Sequence, residues 1–438
     1  MIFRGSLKMN SEKISIVWLR RDLRLEDNTA LYQAVNHGLP ILVVFIFDPE
    51  ILEKLPKNDA RVNFIHQNLE QINSIVKDKN GSLHIEHKRP IKAWENILSS
   101  YDVDKVFFNR DYEPYALARD KNVTEFINSQ GVKIESYKDQ VIFEENDILK
   151  NDGLPYTVYT PYKKKWLKSF SQELLQPVPT TQKGTFVQSL IPFPSIKDIE
   201  FEESEIKVQD FNISQLDTYD EDRNFPAKDN TSYLSPHLRF GTISIRKLIK
   251  KIYHNESFLS ELIWREFFMQ VLFHFPDSVQ KNFKPKYDGI QWRNNEEEFE
   301  KWKKGKTGYL LVDAGMRQLN ETGYMHNRVR MVVASFLIKH LLIDWTWGEA
   351  YFAEKLLDYD LSANVGNWQW AAGTGCDAAP YFRVFNPITQ IDKFDKNHVY
   401  IRKWIAEYNT NYYPKPMVDH KFARERALST YKEGLEQS

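Results

Sequence analysis

Four short stretches in the second half of the chain bring together residue types that a packed core does not require. In Thr231-Ser232-Tyr233-Leu234-Ser235, hydroxyls and backbone N–H groups at a helix start would suit an anion, because first-turn donors lack intrahelical partners. The second stretch sets Glu261 and Arg265 one helical turn apart with Trp264 beside them, so a carboxylate, a guanidinium and a stacking ring share a face. In the third, Asn327, Arg330 and Met331 recur at three- and four-residue spacing ahead of the apolar run 332–338, the pattern of a helix lining a cavity. The fourth runs from Asp358 to Trp370 and holds Asp360, Asn364, Asn367 and Trp368 between them. Taken singly, each has a plain alternative: a helix N-cap, a surface ion pair beside a core tryptophan, a solvated helix start, and tryptophans packed in a core.

These stretches need elements to position them. At 438 residues the chain is long enough for two or three domains with a sizeable core. Ile14–Leu19, Ile41–Phe47, Leu83–His87, Lys105–Asn109 and Val132–Ser136 read as strands, separated by helical patterns such as Asp59–Val76. Asp27 or Asn28 could cap the helix after the first strand. Alternation of this kind implies a doubly wound parallel sheet, an α/β domain over residues 14–140, preceded by a leader at 1–13 in which Met9 competes with Met1 as the start. The first strand is followed by Arg20-Arg21-Asp22-Leu23-Arg24, not by the glycines that let a pyrophosphate approach the backbone, so a nucleotide cofactor would sit elsewhere. Residues 141–222 read as an interdomain linker, and 223–438 as an all-α domain with long helices at Glu256–Phe275 and Met331–His340.

Net charge is −1, which on its face argues against nucleic acid. The segment from Lys197 to Asp222, however, carries ten acidic side chains against two lysines, so the rest of the chain is net positive. One cysteine, Cys376, excludes an intramolecular disulfide framework and a Cys-based zinc site; no metal is expected, and a reducing, cytoplasmic setting fits. No apolar run reaches the roughly 20 residues of a membrane span. The eleven tryptophans are the compositional oddity.

At the four stretches, and at Val17-Trp18-Leu19-Arg20-Arg21-Asp22-Leu23-Arg24-Leu25-Glu26-Asp27-Asn28, Thr307-Gly308-Tyr309, Val312-Asp313-Ala314 and Asp377-Ala378-Ala379-Pro380-Tyr381-Phe382-Arg383-Val384-Phe385-Asn386-Pro387, the chain resembles the photolyase/cryptochrome family from Ile14 to its end. The resemblance implies an α/β antenna domain followed by a helical domain that holds FAD. Tyr219, Thr231, Ser232, Tyr233, Leu234, Ser235, Arg265, Asn327, Arg330, Asp358 and Asp360 then line the FAD pocket, with Arg330 paired to Asp358. Asn364 matches the position facing flavin N5, where an Asn is a poor proton donor and favours an anionic reduced flavin. Trp368, Trp345 and Trp292 match the family's electron-relay triad.

Within the family, the chain resembles the class I branch acting on cyclobutane pyrimidine dimers, which presents Glu, Met and two Trp to the lesion, here Glu261, Met331, Trp264 and Trp370, with Asn327 beside them. A (6-4) photolyase would carry a histidine where Met331 stands. The resemblance also implies a light-driven electron transfer to the flipped dimer, a Glu261 whose pKa burial raises, and a backbone grip by Arg223, Arg328, Arg383, Gln390 and Lys393 on UV-damaged DNA. A monomer associated with the bacterial nucleoid is expected. A second chromophore (folate, deazaflavin or flavin) stays open, because Tyr115-Ala116 stands where folate-binding relatives carry Asn-Glu. The rival readings are a cryptochrome-like photoreceptor and, from the first domain alone, a light-independent nucleotide-binding enzyme.

Overall fold

The computed structural model describes residues 12–180 and 184–436, so most of the expected leader lies outside the described residues. Two compact units emerge, and neither is continuous in sequence. The first comprises residues up to Glu144 together with Phe170–Gln209 and Ser235–Tyr253; the second comprises Glu145–Ser169, Asp210–Leu234 and His254 onward. The expected linker is therefore shared out between the units, and it contains a helix, α5 (Tyr159–Ser169).

In the first unit, strands β1 (Lys13–Leu19), β2 (Ile41–Phe47), β3 (Leu83–His87), β4 (Asp102–Asn109) and β5 (Lys133–Tyr137) form one parallel sheet in the order β3-β2-β1-β4-β5. β1 and β2 are apolar almost throughout because both faces are covered. Val17 and Leu19 join one core with α1 (Thr29–His37) and α2 (Ala60–Lys77), while Ile14, Ile16 and Trp18 face a second core with α3 (Pro90–Ser100) and α4 (Pro114–Ser129). β4 begins three residues before the expected Lys105, because Asp102 pairs with Lys13 across a register shift between Ile14 and Ser15. Asn28 is the N-cap of α1, its side chain accepting from the Leu31 N–H. Asp27 instead faces Arg246.

At the C-terminal ends of β1 and β4, where the strand order reverses, side chains fill the space that a cofactor takes in dinucleotide-binding sheets. Arg21 donates to Asp111 and Glu113, and Arg239 joins it on Glu113. Arg24 and Arg246 both donate to Asp139, and Arg246 also to Asp27, at 2.5–3.1 Å. Asp27, Asp111 and Asp139 are buried, and their pairing with guanidiniums is what makes the burial tolerable.

The second unit is helical. Its core gathers α7 (Leu310–Thr322), α8 (Asn327–Ser335), α9 (Trp345–Lys355), α10 (Leu361–Ala372) and α11 (His420–Glu436), with α6 (Glu256–His274) packed against α10. The expected helix through His340 stops at Ser335. Residues Phe336–His340 widen into one π-helical turn, closed by Leu341 N–H to Phe336 C=O, and buried Lys339 reaches across to the Ala372 carbonyl at 2.7 Å. Burial pushes the Lys339 pKa well down, and the Ala372 carbonyl gives the buried amine its partner.

Candidate functional site

Asn327, Arg330 and Met331 stand on α8, which His326 caps by accepting from Arg328 N–H through its ring. Burial, with Arg330 and Arg328 nearby, pushes the His326 pKa down to about 4, so the ring stays neutral and able to accept. Arg330 donates Nη2 to both Asp358 oxygens, at 2.9 and 3.2 Å, and its Nε to the Met325 carbonyl. This triangle fixes the guanidinium although burial alone would oppose its charge. Asp360 is the N-cap of α10, accepting from Ala363 N–H and Ser362 Oγ. One turn later Asn364 donates to Glu349 of α9. Glu349 was not among the expected site residues; its mark in the sequence is an acid between Trp345-Thr346-Trp347 and Tyr351-Phe352.

Thr231, Ser232 and Tyr233 form the turn before Leu234, with Tyr233 in the left-handed region at φ 52° and its ring 4.9 Å from Tyr324. Ser235 is exposed and is counted in the first unit, apart from Thr231–Leu234. Tyr219 packs edge-on against Phe258. The described polar groups, two carboxylates, one partly buried guanidinium, amides and hydroxyls, fit a dinucleotide that needs polar contacts along its length.

Glu261, Trp264 and Arg265 share α6. Trp264 stacks on Tyr159 at 3.6 Å between centroids with 9° between planes, and Tyr159 Oη is held by Ser260. Tyr159 is a second residue that sequence reasoning missed. Glu261 departs from expectation: instead of being buried, its side chain is 37% exposed and accepts from Arg223 at 2.6 Å. Arg223 had been assigned to phosphate alone. Arg328 donates to Asn224 and lies 4.3 Å from the centre of the Phe394 ring, against which Lys393 also packs. Arg383 lies near the Trp370 and Phe385 rings. Gln390 is on the same helix as Lys393, Pro387–Phe394.

Trp368 and Trp345 are both buried, and Trp292 is partly exposed against Tyr431. Trp345 donates its indole N–H to Asn282. Trp368 lies over Gly348, one turn along α9 from Trp345, and touches Phe352 and Trp302; Trp302 was not among the expected relay residues. In the first unit, Tyr115 donates to Asp48, so a tyrosine–carboxylate pair stands where folate-binding relatives were expected to carry an amide.

Comparison with known proteins gives this arrangement its context. Residues 15–182 match the DNA photolyase family model, and residues 258–412 match the FAD binding domain of DNA photolyase. The second match contains Arg265, Asn327, Arg330, Asp358, Asp360 and Asn364, whereas Tyr219 and residues 231–235 precede it. The chain is 37% identical to the deoxyribodipyrimidine photo-lyase of Agrobacterium fabrum, over 95% of this chain and 97% of that one. It is 35% identical to that of Vibrio cholerae, over 95% and 99%. A bacterial class III photolyase from Agrobacterium tumefaciens superposes with a TM-score of 0.88 at 35% identity, covering 99% of both chains. An archaeal photolyase from Sulfolobus tokodaii, solved with two FAD molecules, gives 0.83 at 33% identity over 95% and 99%. The class I resemblance is thus narrower than the match, which reaches a class III enzyme over nearly the whole length. At the level these matches carry, the chain belongs to the DNA photolyase family.

Proposed function

We propose that the protein repairs cyclobutane pyrimidine dimers in UV-damaged DNA, acting as a light-driven carbon–carbon lyase with FAD. The observation that carries this reading is one connected constellation: Trp264 and Glu261 on α6, Glu261 paired with Arg223, and Arg328 close enough to feel the charges of Arg223 and Arg383, with Arg383 against Trp370. Bound FAD supplies the photoexcited electron that opens the cyclobutane ring. The chain's own residues do the rest. A dimer stacks and pairs poorly, so it is cheaper to extrude than normal bases; photolyases belong to the base-flipping enzymes. Trp264, already stacked on one face by Tyr159, offers the ring surface that receives an extruded base, with Trp370 and Met331 completing an apolar clamp. Glu261 and Asn327 supply hydrogen bonds to the base edges. Arg223, Arg328, Arg383, Gln390 and Lys393 hold the backbone, which fixes register without reading sequence.

Arg330, Asp358, Asp360, Asn364, Arg265, Tyr219 and residues 231–234 would hold the cofactor, and Trp368, Trp345 and Trp292 would return electrons to it. An antenna chromophore (folate, deazaflavin or flavin) would occupy the first unit. The protein works as a monomer in the cytoplasm, the setting to which its one cysteine points. Among the described residues, no helix is long and apolar enough to cross a membrane. The test is recovery of thymine absorbance when purified protein and UV-irradiated oligothymidylate are exposed to blue light. Photoreduction without repair of this substrate would favour a photoreceptor, and repair of (6-4) lesions alone would move the protein to that branch.

A further inference from the structure

The Arg223 guanidinium donates Nη2 to Glu261 Oε1 at 2.6 Å, and the two side chains are 29% and 37% exposed, so solvent reaches the pair. Arg223 also lies 5.0 Å from the centre of the Tyr219 ring. Its neighbour in the chain, Asn224, accepts from Arg328 Nη2 at 2.5 Å. Residues 223 and 224 thus contribute one guanidinium and anchor a second. Arg328 in turn senses both Arg223 and Arg383: burial first, then these two charges, press its pKa below the ordinary value. Converging guanidiniums repel one another, and an anion placed against them relieves the repulsion. Here a carboxylate from the chain itself, Glu261, fills that place. A phosphodiester offers a guanidinium the same charge and similar oxygen geometry.

The repair reading asks a second thing of Glu261, a hydrogen bond to the base edge of an extruded dimer. An oxygen held at 2.6 Å by Arg223 is committed elsewhere. Resting on that reading, we propose that Glu261 acts as an internal counter-anion occupying the phosphate seat of Arg223 in the free protein. A DNA phosphate takes that seat, so capture of the backbone and release of Glu261 toward the base are a single exchange. On undamaged DNA the released carboxylate meets no extruded base, and the exchange is opposed. With a flipped dimer it is completed. The ion pair becomes a selectivity element as well as a contact, and its partial exposure keeps it weak enough to open.

The experiment measures binding of an undamaged single-stranded oligonucleotide to the full-length, FAD-loaded protein in the dark, by fluorescence anisotropy over a salt series. Glu261→Gln is expected to tighten binding by roughly 2- to 5-fold, the range an exposed ion pair can oppose. It should also steepen the plot of log affinity against log salt by about 0.7, one additional phosphate contact on a single strand. In an Arg223→Gln background the same Glu261→Gln change should give neither effect, which separates the exchange from a general loss of negative charge. Glu261→Asp, whose carboxylate is one methylene shorter, should shift affinity and slope in the same direction, and it decides the matter if the amide variant loses its flavin. Unchanged or weaker binding by these variants, or equal gains with and without Arg223, would overturn the proposal. Failure of the wild-type protein to bind any oligonucleotide, damaged or not, would instead overturn the repair reading itself.

Discussion

Asn364 donates its side-chain amide twice to Glu349, to Oε1 at 2.9 Å and to the backbone carbonyl at 3.1 Å. These two bonds fix the Asn364 side chain, which the family resemblance sets at the position facing flavin N5. Burial pushes the Glu349 pKa up, while hydrogen bonds from Asn364 and Tyr359 pull it back. Glu349→Leu should leave FAD bound but free the amide to rotate, changing the yield of fully reduced flavin under blue light. Loss of the side-chain hydrogen bond should cost about 1–2 kcal/mol of stability. Glu349→Gln keeps an acceptor oxygen and should stay close to wild type. Absorption spectra during anaerobic illumination, with a denaturant curve for each variant, check all three statements.

Gly348 lets α9 approach Trp368: a Cβ there would sit 2.1 Å from Trp368 Cη2 and 2.7 Å from Leu337 Cδ2. Gly348→Ala must therefore move the indole, at a cost of roughly 1–3 kcal/mol for overpacking. If Trp368 is the relay member next to the cofactor, photoreduction of oxidised FAD should slow in Gly348→Ala and be lost in Trp368→Phe. Repair by chemically pre-reduced enzyme should survive in Trp368→Phe. Loss of repair there would remove the tryptophan from a purely electron-returning role.

In the first unit, Arg246 serves two buried carboxylates, Asp27 and Asp139. Arg246→Met should destabilise by about 3–5 kcal/mol, because it leaves buried charge uncompensated. Urea unfolding followed by circular dichroism would measure it. A change below 1 kcal/mol would mean that water or rearrangement replaces the guanidinium.

Acid should act through two windows. Burial depresses the pKa of His326 to about 4 and of His340 to about 3, the latter helped by His420 and Arg426. The unfolded chain takes up these protons near pH 6.5, so the histidines' contribution is lost as pH falls from there toward the folded values. Each accounts for about 1.4 kcal/mol per pH unit across its window. Asp139 acts lower down. Burial alone would raise its pKa, but Arg24 and Arg246 hold it below the ordinary value. Its contribution is full above the unfolded carboxylate range and is lost as pH falls through its folded value. His340→Gln should flatten a stability-versus-pH curve between about pH 6.5 and 3 and leave it unchanged below that.

The sheet was legible where burial on both faces writes an unbroken apolar run, as at Ile41–Phe47; Leu83–His87, where Leu83 and Ile85 alternate with polar residues, also has the bounds that the sequence suggests. Asn28 as a cap and Asp59 before α2 were equally open to reading, since capping needs a short acceptor at a set place. The turn at Phe336–His340 was hidden because a lysine and a histidine inside an apolar run leave helical periodicity intact while changing what the backbone must reach. At the site, residue types on one helix, such as Glu261, Trp264 and Arg265, could be grouped by spacing. Tyr159, Glu349 and the Arg223–Glu261 pair could not, because their partners lie 105, 15 and 38 positions away and only the folded chain brings them together.

The interleaving of the two units has a consequence for synthesis. The sheet is complete by Tyr137, yet the arginine that pairs with Asp27 and joins Arg24 on Asp139 arrives only with residue 246, and the first unit closes only at Tyr253. A nascent chain therefore cannot finish its N-terminal unit before more than half of the protein has left the ribosome, unlike a simple tandem whose first domain folds as it emerges. A fragment ending at residue 144 would carry all five strands and Arg24 on Asp139, but would leave buried Asp27 without its guanidinium. Any attempt to isolate the antenna half should therefore include the helix Ile245–Ile252, supplied in cis or as a separate peptide.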